Sequence, residues 1–290
     1  MDDLAHPLPQ SDAFERTAHT LGLKVLRVNT EAGTCLIQTR RLPLIGDVHL
    51  VSRGPVAQHA EDAATLFQAS RADLHGPVIL NAPTQMTIGG IKIAGGAELA
   101  ILDLRSPRDM RQKMQAKWRN QLKKAERSSL VVIDQPLDAE RHGWFLEAEA
   151  AQQRDRHYRA HPTSFLLAFA QANKGQARLY TALHEGRSVA GMLILKHGRM
   201  ATYQAGVIFP EGRAHCAHNL LLWTVMSDFQ ARRVLHLDLG RCDLGAGLRR
   251  FKLGSGARVE TLPGSFLFYR PFRRAWFQRR DTARPHLAES

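Results

Sequence analysis

The segment at 235–270, LHLDLGRCDLGAGLRRFKLGSGARVETLPGSFLFYR, holds one lysine, Lys252, among glycines and arginines between two apolar runs. A fixed ammonium group or N–H donor can stabilise an oxyanion that develops in a reaction. The residues alone leave three interpretations open: a phosphate cradle, an oxyanion clamp and a plain hairpin. In the hairpin, Lys252 is a solvent-facing residue of a strand.

Asp238 lies just before the first glycine of this segment and alternates with apolar neighbours. That alternation indicates an inward-facing side chain. The carboxylate either accepts hydrogen bonds from loop backbone or serves as a general base. Gly245, Gly247, Gly254 and Gly256 permit turns or a close approach of backbone, and Gly-x-Gly spacing alone is weak evidence for a phosphate site.

A second cluster of cations and aromatics, QQRDRHYRAHP at 152–162, ends a predicted helix. Arginine binds phosphate well because its planar fork donates two hydrogen bonds. The alternative is a solvated helix terminus whose cations face the negative end of the helix dipole. Tyr203 and Gln204, on the middle strand of a predicted meander, either line an acceptor groove or pack in the core. The candidate substrate-binding residues are Arg156, Arg159, Tyr158, Tyr203 and Arg249.

His215 and His218 have the i, i+3 spacing that places two histidines on one helix face. No partner cluster and no H-E-x-x-H motif accompanies them. We therefore predict a histidine pair at the start of a helix and no metal site.

Positive charge is concentrated in two segments of a chain whose formal net charge is +13. One is the predicted helix at 107–127, and the other is the tail RPFRRAWFQRR. Cations interleaved with Trp118, Phe272 and Trp276 suit RNA phosphates and base stacking, and they equally suit an anionic membrane face. A solvated amphipathic helix is the third interpretation. The candidate RNA- or anion-binding residues are Lys117, Arg119, Lys123, Lys124, Arg273 and Arg274.

Two blocks of alternating strands and helices predict an α/β protein with mixed sheets. The clearest helix is 106–127, with Ser106 as N-cap and an apolar stripe through Met110, Trp118 and Leu122. The second block reads helix, helix, three antiparallel strands, apolar helix, strand, and then the closing segment. We expect subdomains at 1–105 and 106–290. The three cysteines and the acidic, proline-broken N-terminus predict a reducing, cytoplasmic location without a signal peptide.

The second block has the element order of an N-acyltransferase core. Acyl-CoA-dependent enzymes of this kind hold the pyrophosphate on a glycine-rich turn, Arg/Gln-x-x-Gly-x-Gly/Ala, before the central helix. Here the turn reads EGRAHCAHN at 211–219, so Cys216 and His218 occupy the glycine positions. The sequence therefore disfavours coenzyme A as the donor.

Three segments resemble the FemAB/FemX-type aminoacyltransferases: RGPV at 53–56, KWRNQLKKAERSSLVV at 117–132 and the closing segment from Leu237 to Phe266. The resemblance spans about residues 35–270 and implies two fused GNAT-like acyltransferase subdomains. It further implies that Phe251 and Lys252 lie beside the transfer site, and that Arg156 or Arg159 contacts substrate phosphate.

The family transfers an amino acid from aminoacyl-tRNA to an amine on a cell-wall precursor, so the resemblance implies these partners and no tightly bound cofactor. Lys252, Phe251 and Asp238 are the candidate catalytic residues. One alternative is acyl-CoA-dependent acetylation of a small amine or amino sugar. The other is a non-catalytic RNA- or membrane-surface-binding protein on the same fold. A peripheral position at the inner face of the membrane is expected with the lipid-linked acceptor.

Overall fold

The computed structural model describes residues 5–83, 89–158 and 160–269, which form two mixed β-sheets covered by helices. The mixed α/β class predicted from the sequence is confirmed, and the strands form two separate mixed sheets. None of the helices within the described ranges combines the length and the apolar character that crossing a bilayer requires.

Strands and helices are numbered here in chain order. The first sheet contains β1 Lys24–Thr30, β2 Gly33–Leu42, β3 Gly46–Ser52, β4 Val56–Ala57, β5 Val78–Asn81, β6 Ile91–Ala94 and β14 Ser265–Phe268. Its strand order is β1-β2-β3-β5-β14-β6, with the short β4 pairing β2. Strands β3 and β5 are parallel, and all other pairs in this sheet are antiparallel.

The second sheet carries the predicted meander at its centre. It contains β7 Ala97–Asp103, β8 Val131–Pro136, β9 Ala177–His184, β10 Arg187–His197, β11 Met200–Ile208, β12 His236–Arg241 and β13 Arg258–Leu262. The order is β13-β7-β12-β11-β10-β9-β8. The predicted turns of the meander are present, since Glu185, Gly186 and Gly198 have positive φ angles.

Helices cover both faces of the second sheet. The helices are α1 Asp12–Thr20, α2 Asp62–Ser70, α3 Pro107–Lys113, α4 Ala116–Glu126, α5 Gly143–Asp155, α6 Thr163–Ala172, α7 Pro210–Ala214, α8 Ala217–Ala231 and α9 Ala246–Gly254. One core joins α3, α4 and α8 to one face, and a second joins α1, α5 and α6 to the other. Helix α2 packs on the first sheet.

The two sheets exchange strands along the chain. Strand β7 precedes residue 105 but pairs β12 and β13 in the second sheet. Strand β14 lies near the end of the described chain but pairs β5 and β6 in the first sheet. The predicted boundary between 105 and 106 therefore does not coincide with the division between the sheets.

The helix predicted at 106–127 is two helices, α3 and α4, because Met114 has an extended backbone with φ −66° and ψ 141°. Ser106 caps α3 by accepting a hydrogen bond from the Asp109 amide. Gln115 N donates to Gly254 O at 3.0 Å, so a contact with the chain's closing segment satisfies the amide at the break. The predicted apolar stripe is nevertheless continuous, since Met110, Met114, Trp118, Leu122 and Ala125 are all buried.

The closing segment also differs from its prediction. Residues 246–254, expected as a loop leading into a hairpin, form helix α9. Strands β13 and β14 belong to different sheets and do not pair with each other. The helix forms because Phe251 and Leu253 pack against the core beneath α4, and this burial outweighs the low helix propensity of its glycines.

Candidate active site

A cavity of about 1010 Å³ opens where two parallel strands separate. Strands β11 and β12 pair only between Met200–Thr202 and His236–Asp238. Beyond Thr202, β11 turns the residues from Tyr203 to Gly206 towards the cavity. A bulge opposite Leu193 and Ile194 leaves Gln204 outside the ladder with β10, and bulges of this kind are common beside active sites.

The walls of the cavity come from α4, the end of α5, the start of α8 and α9. Its cations outnumber its acids, since Glu149 is the one acidic residue among the described residues that line it. Such a lining attracts anionic ligands. The cations are Lys117, Arg156, Arg213, Arg250 and Lys252.

Lys252 lies on α9 and is 5% exposed. Its Nζ donates to Arg241 O at 2.8 Å and lies 6.0 Å from the centroid of the Tyr203 ring. Burial lowers the pKa of Lys252 to about 8, while the Asp238 carboxylate acts in the opposite direction. An ammonium group has three donors, so the bond to Arg241 O leaves others for a ligand in the cavity.

Asp238 lies behind this wall rather than in it. Its carboxylate forms a buried ion pair with Arg53, which follows β3 of the first sheet. The other oxygen, Oδ1, accepts a hydrogen bond from Gly240 N at 2.7 Å. Gly240 has φ 73°, a conformation that favours glycine, and the next residue supplies the carbonyl that holds Lys252. The structure thus places Asp238 where it orders the backbone around Lys252.

A second polar cluster is built on Glu149 of α5. Glu149 Oε1 accepts a hydrogen bond from Tyr158 Oη at 2.9 Å, and its Oε2 accepts one from Gln152 Nε2 at 3.1 Å. Burial raises the pKa of Glu149, and it raises the pKa of Tyr158 to about 12. The sequence analysis did not single out Glu149. The sequence signal for a buried glutamate was its position among the alanines of EAEAAQQ, because small apolar neighbours indicate a helix that packs closely against the protein.

Two buried donors also line the cavity. Trp118 Nε1 and Asn219 Nδ2 have no hydrogen-bond partner among the described residues. Leaving a buried donor unpaired costs about 1–3 kcal/mol. Both residues line the cavity, but these two donor atoms are themselves closed to solvent.

The turn at 211–219 differs from an open phosphate-binding loop. Residues 210–214 form the short helix α7, and Cys216 has a left-handed backbone, φ 56°, before α8 begins. The His215 amide donates to Glu211 O and the Cys216 amide donates to Arg213 O. His218 Nε2 bonds to Val207 O at 3.0 Å, and burial lowers the pKa of His218 to about 4. No group of three or more metal-ligating side chains occurs in the described part of the chain.

The cavity is lined by Gln204 and by six of the candidate site residues from the sequence analysis. The six are Lys117, Arg156, Tyr158, Tyr203, Phe251 and Lys252. Arg249 is not among them, because it faces away on α9 and pairs with Glu98. Arg119 donates to Gln112 O, whereas Lys123 and Lys124 are exposed on α4. Arg159, Arg273 and Arg274 lie outside the described residues. The roles of all these residues stay predictions.

Comparison with known sequences identifies the domain around this cavity. The sequence model of the acetyltransferase (GNAT) domain matches residues 112–253. Residues 112–253 are a domain of the GNAT acyltransferase type. The matched range contains α4, the meander, α8 and nearly all of α9, and so includes both Glu149 and Lys252. None of the curated proteins matches the sequence.

Solved structures share the fold of this GNAT acyltransferase across both sheets. A structure of FemX has a TM-score of 0.73 at 14% identity, covering 91% of this chain and 92% of its own. The C-terminal domain of a protein described as a lysylphosphatidylglycerol synthetase from Agrobacterium fabrum has a TM-score of 0.55 at 15% identity, with coverages of 89% and 86%. The L-PGS structure from Bacillus licheniformis has a TM-score of 0.50 at 15% identity, with coverages of 93% and 94%. The predicted resemblance to FemX-type enzymes is therefore confirmed in the fold.

Proposed function

We propose that this GNAT acyltransferase moves an aminoacyl group from aminoacyl-tRNA to an amine of a cell-envelope precursor, forming an amide bond. The observation that carries the proposal is the Lys252 ammonium group, buried in the cavity wall and held by Arg241 O. The shared FemX fold supports it, and so does the size of the cavity, which exceeds what a small acyl group alone requires.

In the proposed reaction, the acceptor amine attacks the ester carbonyl carbon. A C–N bond forms, and the carbonyl oxygen becomes an oxyanion that the Lys252 ammonium group stabilises. Glu149 accepts the proton that the attacking nitrogen loses, which suits a carboxylate whose pKa is raised by burial. The C–O bond then breaks, and the ribose hydroxyl of the tRNA leaves with that proton.

The cations at the cavity position the phosphates of the two substrates in this proposal. Arg156 and Lys117 lie in the lining, and Lys123 and Lys124 continue the positive surface along α4. Phosphate contacts of this kind orient a nucleic acid without reading its sequence.

Acyl-CoA is the second candidate donor, and the match to the acetyltransferase domain favours it. The arrangement at 210–216 supports the first candidate instead. The amides of His215 and Cys216, which would have to face a pyrophosphate, bond to carbonyls of α7. A donor that needs no anion-binding loop at this position fits the turn better.

Transfer from labelled aminoacyl-tRNA and from labelled acetyl-CoA, measured in parallel with soluble and lipid-linked muropeptides as acceptors, tests the proposal. We expect amide product from aminoacyl-tRNA only. Product from acetyl-CoA alone would assign the acyl-CoA function. The soluble and lipid-linked acceptors separate a cytoplasmic precursor from one reached at the membrane.

A further inference from the structure

The hairpin between β2 and β3 ends in an exposed apolar tip, LPLI at 42–45. Leu44 is fully exposed, Ile45 is 59% exposed and Leu42 is 40% exposed. Single exposed apolar residues are common on protein surfaces, but three together at a protruding turn are not explained by the fold.

The backbone at this tip holds a leucine in a conformation that ordinarily favours glycine or asparagine. Leu44 follows Pro43 and has φ 67°. A turn with proline at its second position ordinarily has glycine or asparagine next, because these residues tolerate a positive φ. Leucine at this position raises the energy of the turn, and its side chain recovers none of this by burial within the chain.

Two cations lie immediately below the tip. Arg40 and Arg41 are consecutive in β2 and therefore point to opposite faces of the hairpin, and both are exposed. Neither forms an ion pair with any of the described residues. Asp47, the partner of Arg41 in the strand register, pairs with Lys24 at 3.3 Å instead.

We propose that this hairpin tip inserts into an anionic lipid bilayer. Leu42, Leu44 and Ile45 enter the boundary between headgroups and acyl chains, and Arg40 and Arg41 bind lipid phosphates on either side of the hairpin. Apolar burial and attraction to anionic lipids act together in such binding. A bilayer fits the observations better than a protein groove does, because the cations surround a convex tip on both faces and no acid among the described residues neutralises them.

Edge strand β6 of the same sheet provides a matched control. Ile91 is 68% exposed and Ile93 is 48% exposed, so they resemble the tip residues in apolar exposure. They lie on a strand that alternates with Lys92 and do not protrude from a turn. The proposal assigns no bilayer contact to them.

The test is cosedimentation of the full chain with vesicles of phosphatidylcholine containing phosphatidylglycerol, and with pure phosphatidylcholine. We expect binding to the anionic vesicles, reduced at least about tenfold by Leu44→Asn with Ile45→Asn. Neutralising Arg40 and Arg41 with glutamine should weaken binding by about fivefold for each arginine and flatten its salt dependence. Ile91→Asn should bind like the wild type.

Asparagine tolerates the left-handed turn better than leucine does, so Leu44→Asn should unfold at or above the wild-type temperature, which is measured alongside. Equal binding by wild type and the tip variant would overturn the proposal. Equal binding to neutral and anionic vesicles would do so as well. If the wild type binds no vesicles but self-associates, and Leu44→Asn makes it monomeric, the tip contacts a second copy of the chain instead.

Discussion

The guanidinium of Arg53 and the carboxylate of Asp238 form a buried ion pair that joins the first sheet to the second. The Asp238 side chain is 2% exposed, and Arg53 is 17% exposed. The pair is linked through Gly240 N to the turn whose carbonyl, Arg241 O, holds the Lys252 ammonium group. Two hydrogen bonds, one from Gly240 N and one to Arg241 O, thus connect the contact between the sheets to Lys252 at the proposed transfer site.

Arg53→Ala should destabilise the protein and slow transfer. Removing one partner of a buried ion pair leaves an uncompensated charge, which costs about 3–5 kcal/mol. The free energy of unfolding in urea measures the first effect. The transfer rate at a temperature where the variant stays folded measures the second.

Arg187→Ala is the control for this substitution. Arg187 pairs with Glu185 at 3.6 Å, and both side chains are largely exposed. Exposed pairs contribute at most about 1 kcal/mol, so this variant should match the wild type closely in both measurements. If Arg53→Ala loses no more stability than Arg187→Ala, the buried ion pair does not stabilise the contact between the two sheets.

Two glycines of α9 should respond oppositely to alanine. A Cβ at Gly254 would lie 2.9 Å from Trp118 Cδ1, and Trp118 is buried and cannot easily move. We expect Gly254→Ala to lower the free energy of unfolding by about 1–3 kcal/mol. At Gly247 nothing lies within 4 Å of an added Cβ, so Gly247→Ala should raise it by about 0.5–1 kcal/mol. Denaturant unfolding of both variants checks the pair, and the same sign for both would contradict the packing described for α9.

Much of the fold could be predicted because its elements carry local signals. The meander β9–β11 and helix α8 follow from apolar runs between glycine turns. The break at Met114 and helix α9 could not be predicted in this way. Gln115 N meets Gly254 O from a distant part of the chain, and the glycines of α9 favour a loop unless Phe251 and Leu253 pack against the core. Tertiary contacts overrode local preference at both places.

The site was predictable in part for a similar reason. Lys252 was selected because the resemblance to FemX-type enzymes implies that Phe251 and Lys252 lie beside the transfer site, and both residues line the cavity with Tyr203. Arg249 is also a cation and lies three residues before Lys252. The sequence did not show which face of α9 points towards the cavity, so both residues were selected. Glu149 was missed because a glutamate in a helix ordinarily faces water.

Glu149→Gln should lower kcat with little change in KM for either substrate. Glutamine keeps the shape of the side chain and can still accept from Tyr158, but it cannot accept a proton. Steady-state kinetics with varied acceptor checks this. Glu147→Gln, an exposed neighbour on α5, is the control. A change confined to KM would assign Glu149 to binding instead of proton transfer.

The pH dependence of transfer should show a basic limb near pH 8. The pKa of Lys252 is lowered to about 8, so the ammonium group that stabilises the oxyanion is lost as the pH rises through this value. The contribution of Lys252 to folding stability changes with pH in the opposite direction to the transfer rate. Between about pH 8 and its ordinary value of 10.5, the unfolded state binds the proton that the folded state has released. Folding stability relative to Lys252→Met should therefore rise with pH in this window.

The most direct test compares single-turnover transfer from aminoacyl-tRNA by the wild type, Lys252→Met and Arg249→Met. Methionine fills the space of Lys252 without its charge, and Arg249 lies on the same helix but pairs with Glu98 outside the cavity. We predict a loss of about 10²–10³-fold for Lys252→Met, with unfolding stability kept, and a rate near that of the wild type for Arg249→Met. Equal rates for the wild type and Lys252→Met would contradict the assignment of Lys252 to the transfer site.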